Sequence, residues 1–141
     1  MRRLDLAFLA LRLPLDYFAV FGAGVAAYFL RFQTFAEFRP ATEIISFPAY
    51  LAIIAIGALG WIGALALSRL YTSDRIRTLD EIARIFVGCS TALAVLVLVI
   101  FFRRELFASR FIVLAVWLLS IGFLLVERMA LRVVQTYLYK K

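Results

Sequence analysis

Four long stretches without a charged residue dominate the hydropathy pattern of the chain, over 17–30, 44–68, 85–102 and 111–126. An α-helix rises about 1.5 Å per residue, so about 18 residues cover about 27 Å of the roughly 30 Å of hydrocarbon in a bilayer. The second and third stretches are therefore long enough to span a membrane.

The two shorter stretches can be extended at their ends. The first is long enough if it begins near Leu13 with Asp16 at the membrane interface. The last is long enough if Arg110 and Arg128 extend their side chains toward the headgroups. The chain is thus predicted to be an all-α integral membrane four-helix bundle and a single transmembrane domain. Its predicted membrane-spanning helices lie at about 13–32, 47–69, 82–102 and 110–127.

Ahead of the first span, apolar residues recur every three to four positions, at Leu4, Phe8, Leu11 and Leu15. This spacing favours a short N-terminal interfacial helix lying on the membrane. A cleaved signal peptide is the alternative, because two arginines precede the apolar stretch. Charged residues interrupt that stretch and no clear small-x-small cleavage site follows, so we expect the segment to be retained.

The composition also indicates that lipid is the solvent. The chain has 141 residues, of which 65% are hydrophobic and 18% are charged, whereas globular proteins average about 45–50% and about 25%. These values exclude a water-soluble core of this size. Histidine is absent and there is one cysteine, which excludes zinc fingers, iron–sulfur clusters, histidine-based triads and an intrachain disulfide.

The chain has a net charge of +7, and the positions of its basic residues along the sequence indicate the membrane topology. If both termini lie on the same side as the loop around Asp74, eleven lysines and arginines lie on that side and five on the other. The positive-inside rule then places both termini in the cytoplasm. Because the basic residues bracket apolar stretches, the expected partner is the lipid bilayer and no nucleic acid.

The segment Thr78-Leu79-Asp80-Glu81 precedes the third span and has the spacing of a capping box. We expect Thr78 to accept a hydrogen bond from the Glu81 amide, and Glu81 to reach back to the Thr78 amide. Asp80 adds negative charge at the positive end of the helix. The segment is therefore interpreted as structural rather than functional.

Small residues recur along the first two spans. Gly57, Gly60 and Gly63 follow one another at intervals of three, and Gly22 precedes Ala26 by four. Small residues allow helices to approach closely in lipid. We expect packing between the first and second helices, with a homodimer interface as the alternative.

Asp16 is an acidic residue at the start of an apolar span, and an ionisable group at membrane depth is by default a functional candidate. A structural ion pair with Arg84 or Arg128 at the same level, or hydration at the interface, is favoured over proton or ion coupling. The second and third spans have no ionisable group at mid-depth. A small four-helix transport protein is therefore a weaker alternative.

Arg128 and Arg132 are spaced four residues apart after the last span, on one face of a continuing helix. We expect them to anchor the helix at an anionic membrane surface, with specific recognition of a lipid phosphate as the alternative. The sequence contains no Gly-rich phosphate loop, metal-ligand cluster or nucleophile–base pair. A self-contained enzyme is therefore not expected.

Several short segments carry a family resemblance through their order and spacing. They are Asp16 at the start of the first span and Ala27-Tyr28-Phe29-Leu30-Arg31-Phe32 at its end, Leu70-Tyr71 followed by Arg75, Thr78 and Glu81, Phe107-Ala108-Ser109-Arg110 before the last span, and Arg128 and Arg132 after it. Together they resemble the N-terminal four-helix membrane region of the large polyprenyl-phosphate hexose-1-phosphate transferases. The resemblance covers the chain from about Leu13 to Arg132.

The resemblance implies a role at the bacterial inner (cytoplasmic) membrane, in exopolysaccharide or O-antigen biosynthesis, with polyprenyl phosphate as a candidate ligand. In that family a Rossmann-like domain and a magnesium-dependent catalytic domain follow the membrane region. Neither follows here, so this chain is expected to be a fragment or remnant that contributes no catalytic, cofactor-binding or metal-binding residue. Magnesium is expected in the missing catalytic domain.

A similar region precedes membrane-bound nucleotide-sugar epimerases and dehydratases, and Ser109-Arg110 favours the transferase. The candidate structural or lipid-headgroup residues are Asp16, Arg31, Glu81, Ser109, Arg110, Arg128 and Arg132.

Overall fold

A computed structural model describes residues 3–34, 45–71, 77–103 and 110–139. Within these ranges the chain forms helices and no strand. The helices are α1 (Arg3–Phe29), α2 (Phe47–Leu67), α3 (Thr78–Phe102) and α4 (Arg110–Tyr139). All four belong to segments long and apolar enough to cross a membrane. The predicted all-α four-helix membrane bundle is confirmed.

The N-terminal segment and the first span form one continuous helix. α1 contains Pro14 and passes at its end into a π-helical turn, Leu30–Thr34. The predicted interfacial helix is thus joined to the first span without a break. A proline removes one intrahelical N–H hydrogen bond, and membrane helices tolerate that loss when neighbouring groups satisfy the freed carbonyl.

The helices are arranged as a ring in which α1 and α3 each pack against α2 and α4. Polar side chains reinforce two of these contacts. The Tyr50 hydroxyl of α2 donates to the Gly24 carbonyl oxygen of α1 at 2.7 Å, and the Trp61 indole N–H donates to the Cys89 sulfur of α3 at 3.4 Å. The largest fully buried apolar side chains in the interior are Tyr50, Leu65, Leu70, Ile85 and Leu124.

The chain leaves α2 through a tight turn. Arg69 adopts a left-handed conformation with φ of 58°. Its N–H donates to the Ala66 carbonyl at 3.1 Å, and the Leu70 N–H donates to the Leu65 carbonyl at 3.3 Å. These two bonds form a Schellman motif, which satisfies the last carbonyls of the helix. Leu70 is buried, and the next residue, Tyr71, reaches α1.

The small residues of α1 and α2 behave differently from the prediction. A Cβ added at Gly24 of α1 would lie 2.6 Å from the Ile54 side chain of α2, so this glycine does permit a close helix contact. At Gly57, Gly60 and Gly63 an added Cβ would meet nothing within 4 Å. The predicted packing of α1 against α2 is confirmed, but these three glycines do not make that contact, because no atom lies within 4 Å of the position that a Cβ would take at any of them.

Candidate functional site

Five polar side chains from three helices and one turn meet at the end of the bundle where α3 begins. They are Asp16 of α1, Tyr71 after α2, Glu81 of α3, and Arg128 and Arg132 of α4, and together they form the charged cluster. Two carboxylates face two guanidinium groups within it. The formal charges therefore balance.

Asp16 lies at the centre of the charged cluster and is 0% exposed. Its Oδ2 accepts a hydrogen bond from Arg128 Nη2 at 2.6 Å and another from the Tyr71 hydroxyl at 2.6 Å. The predicted ion pair with Arg128 is confirmed. Arg84, the other predicted partner, instead donates to the Arg69 carbonyl oxygen at 2.6 Å.

Glu81 connects α3 to both arginines of α4. Its Oε2 accepts hydrogen bonds from Nε of Arg132 at 3.0 Å and from Nη2 of the same side chain. Its Oε1 lies 3.6 Å from Arg128 Nε. Arg132 also donates through Nη1 to the Thr78 hydroxyl at 2.6 Å. Arg128 therefore bridges the Asp16 and Glu81 carboxylates, and Arg132 binds the outer side of Glu81.

The capping-box prediction is wrong. The N-cap residue of α3 is Arg77, with no side-chain capping bond, and the Glu81 N–H donates to the Arg77 carbonyl at 3.0 Å. Thr78 is the first helical residue, and its hydroxyl accepts from Arg132. The buried Arg128 and the partly exposed Arg132 attract the Glu81 carboxylate more strongly than a neutral backbone amide does, since charge-assisted bonds are roughly twice as strong.

The two arginines also differ from the expected pair of surface anchors. The Arg128 side chain is 4% exposed and faces the interior of the bundle, whereas the Arg132 side chain is 38% exposed. Arg128 is therefore engaged with protein carboxylates and not with headgroups. This arrangement offsets the cost of burying charge, which is several kcal/mol for an unpaired ion.

Tyr71 lies beyond the end of α2, and its hydroxyl donates to Asp16. Burial, reinforced by the neighbouring Asp16 carboxylate, raises the pKa of the Tyr71 hydroxyl well above its ordinary value. The phenol therefore remains a hydrogen-bond donor throughout the physiological pH range.

Two further charged side chains surround Asp16, and the candidate residues did not include them. Glu127 of α4 lies against the Asp16 carboxyl with both of its own carboxyl oxygens buried, and Arg12 of α1 interacts electrostatically with Asp16 and has its Nε buried. Arg12 is four positions before Asp16, so helical periodicity could have placed them on one face. Nothing in the sequence indicated that the Glu127 carboxylate would turn inward.

The remaining candidate residues do not join the charged cluster. Arg31 is buried in the π-helical turn. At a rise of about 1.5 Å per residue it lies about 22 Å from Asp16 along the helix axis. Arg110 is exposed at the first residue of α4. Both therefore belong to the opposite end of the bundle, and Ser109 lies outside the residues that the structure describes.

The charged cluster joins α1, α3, α4 and the turn after α2 through ion pairs and hydrogen bonds. Across the four described ranges, no three acidic or cysteine side chains are grouped in a way that could hold a metal ion. The arginines are paired with carboxylates of the same chain. Comparisons with protein-family models, curated proteins and solved structures found no match.

Proposed function

We propose that this chain is the membrane domain of a bacterial polyprenyl-phosphate sugar-1-phosphate transferase of exopolysaccharide or O-antigen biosynthesis. One observation carries the proposal. The charged cluster consists of residues that carry the family resemblance, namely Asp16, Tyr71, Glu81, Arg128 and Arg132. Asp16 and Arg128 are 112 residues apart in sequence. Scattered motif residues that interact with one another support a shared structural role.

The charged cluster attaches α4 to the other helices at the point where α4 extends beyond the bilayer. α4 has 30 residues and is thus about 45 Å long, longer than the roughly 30 Å of hydrocarbon in a bilayer. Its part after Arg128 continues to Tyr139, which adds about 16 Å at 1.5 Å per residue. Arg128 and Arg132 attach α4 to α1 and α3 where this extension begins. A cytoplasmic domain attached to α4 would be held at a defined height and angle.

The proposal assigns no chemical step to this chain. The charge of Arg128 is balanced by Asp16 and Glu81 of the same chain, and the proposal therefore gives the charged cluster a structural role and no substrate phosphate. Sugar-phosphate transfer, magnesium binding and contact with the polyprenyl phosphate headgroup belong to the catalytic domain. The membrane domain positions that domain at the bilayer surface.

A chimera tests this function. The four-helix region of an active transferase of the family is replaced by residues 1–139 of this chain, and membranes are assayed for sugar-phosphate transfer from a UDP-sugar to polyprenyl phosphate. We expect activity in this chimera and a large loss when it carries Arg128→Ala at equal membrane abundance. A matched control carries Arg110→Ala, an exposed arginine outside the charged cluster, and should stay active. An inactive but fully inserted chimera would contradict the proposal.

Sequencing the transcript that contains this coding region separates the transferase from the epimerase or dehydratase alternative. The transferase proposal predicts a catalytic domain with an acidic dyad in the same or the adjoining reading frame. A nucleotide-sugar epimerase or dehydratase domain there would replace the proposal with the alternative.

A further inference from the structure

We propose that a groove between α2 and α3 holds the hydrocarbon chain of an anionic lipid, with the lipid headgroup at Arg103. The groove, called the apolar groove below, has a volume of about 930 Å³. Its sides are formed by α2 and α3, and its floor includes the buried side chains Val20 of α1 and Val116 of α4. It lies outside the charged cluster and is independent of the proposed function.

The apolar groove exists because α2 and α3 diverge. Near the charged cluster the two helices are in tight contact, since a Cβ added at Gly88 of α3 would lie 2.7 Å from the Leu65 side chain and 3.2 Å from its Cα. Farther along, Gly57, Gly60 and Gly63 of α2 line the groove, and a Cβ added at any of them would meet nothing within 4 Å. The missing side chains leave room for a chain-shaped ligand.

The side chains that line the apolar groove favour a hydrocarbon ligand over a polar one. Its side chains are apolar apart from Thr91 and Arg103. The Thr91 hydroxyl is already bonded to the Val87 carbonyl at 2.9 Å, and the Trp61 indole N–H to Cys89. A polar ligand would therefore lose its hydrogen bonds with water and, among the side chains along the groove before Arg103, find only the Thr91 hydroxyl oxygen as an acceptor.

Arg103 determines the charge of the headgroup. It follows the last residue of α3, is exposed, and lies at the end of the groove. In the part of the chain that the structure describes, no carboxylate forms an ion pair with it. Thr91 and Arg103 are separated by about 18 Å along α3 at 1.5 Å per residue. An apolar channel that ends at an arginine complements an amphiphile with an anionic head.

A second copy of the chain fits the apolar groove less well. Two copies inserted with the same topology are related by an axis along the membrane normal, so a symmetric interface through Gly60 would bring both Arg103 residues to the same depth on neighbouring surfaces. Like charges close together in a partly desolvated interface repel each other. The lipid supplies the opposite charge, whereas a second copy supplies the same charge.

Tryptophan fluorescence tests the proposal. Trp61 lines the groove, and the variant Trp117→Phe makes it the only tryptophan, since the chain has two. The variant is reconstituted in phosphatidylcholine vesicles with a small fraction of brominated phosphatidylglycerol or, separately, brominated phosphatidylcholine. We expect the anionic lipid to quench Trp61 severalfold more strongly at equal mole fraction. Equal quenching by the two lipids would overturn the proposal.

Two further test substitutions in that background, each with a matched control, distinguish the groove from the general lipid surroundings. Gly60→Leu fills the groove and should reduce the quenching, whereas Gly122→Leu, at an α4 glycine that also has open space around it, should not. Arg103→Gln should remove the preference for the anionic lipid, and Arg110→Gln should keep it. The proposal is overturned if Gly60→Leu leaves the quenching unchanged. It is also overturned if Gly60→Leu dissociates a dimer that wild-type protein forms without bound lipid.

Discussion

At the scale of single residues, the main feature is a guanidinium shared by two carboxylates. Arg128 binds Asp16 directly and lies beside Glu81, so three helices depend on one side chain. Buried ion pairs contribute little net stability when both partners are present, but loss of one partner leaves an uncompensated charge in a poorly solvated site. The effect of a substitution here therefore depends on which charges remain.

We predict that Asp16→Ala and Arg128→Ala each destabilise the bundle by about 3 to 5 kcal/mol, the range for breaking a buried ion pair by removing one partner. The double variant should be less destabilised than the sum of the two, since neither charge is then left alone. Unfolding of the protein in detergent micelles, followed by circular dichroism, measures all three. Additive losses would show that the two side chains act independently.

A second prediction compares two neighbouring acids. Glu81 is 6% exposed and pairs with both arginines, whereas Asp80 is exposed on the same turn of α3. Glu81→Ala should cost about 1.5 to 3 kcal/mol, because it removes the charged hydrogen bonds of Glu81 to Arg132. Asp80→Ala should cost at most about 1 kcal/mol through the helix dipole.

The same unfolding experiment, run on the two variants side by side, provides the comparison. Equal losses would support a capping role for both acids and contradict the pairing of Glu81 with α4.

At the scale of helices, close approach depends on glycines at particular positions rather than on glycine content. Gly24 and Gly88 lie where a neighbouring helix leaves no room for a methyl group. The regular series in α2 lies against open space. The spacing of small residues alone therefore does not identify the contact face.

We predict that Gly88→Ala destabilises the contact between α2 and α3 by about 1 to 3 kcal/mol, the usual cost of overpacking. The added methyl would lie 3.2 Å from the Leu65 Cα, and backbone cannot move aside easily. Gly57→Ala is the matched control, and it should be neutral or slightly stabilising because alanine favours the helix. Thermal unfolding in micelles measures the difference. A neutral Gly88→Ala would contradict the tight contact.

At the scale of the whole molecule, topology links the charged cluster to one side of the membrane. The sixteen lysines and arginines are distributed eleven to five between the two sides, which predicts cytoplasmic termini. The charged cluster would then lie at the cytoplasmic end, and Arg103 at the opposite surface.

Reporter fusions after Lys141 and at Glu37 check this orientation. We expect a cytoplasmic signal from the first fusion and a periplasmic signal from the second. The reverse pattern would contradict the topology and would move the charged cluster to the periplasmic side.

The sequence by itself determined the number of membrane helices and most of their boundaries, because uncharged stretches of bilayer length have few alternatives in lipid. It also placed Arg128 beside Arg84 as a possible partner of Asp16, since opposite charges at the same depth attract strongly where water is scarce, and the structure selects Arg128. Local patterns were less reliable. The capping spacing at Thr78 and the glycine series of α2 are both real, yet neither makes the predicted contact.

Only the tertiary structure decided which neighbours these residues meet. Glu81 binds α4 because the packing of α3 against α4 brings two guanidinium groups to it, and no property of the local sequence contains that information. The same holds for Glu127, which is turned toward Asp16, and for the open face of α2. Helical periodicity specifies the face on which a side chain lies, whereas the rotation and tilt of each helix within the bundle determine what that face contacts.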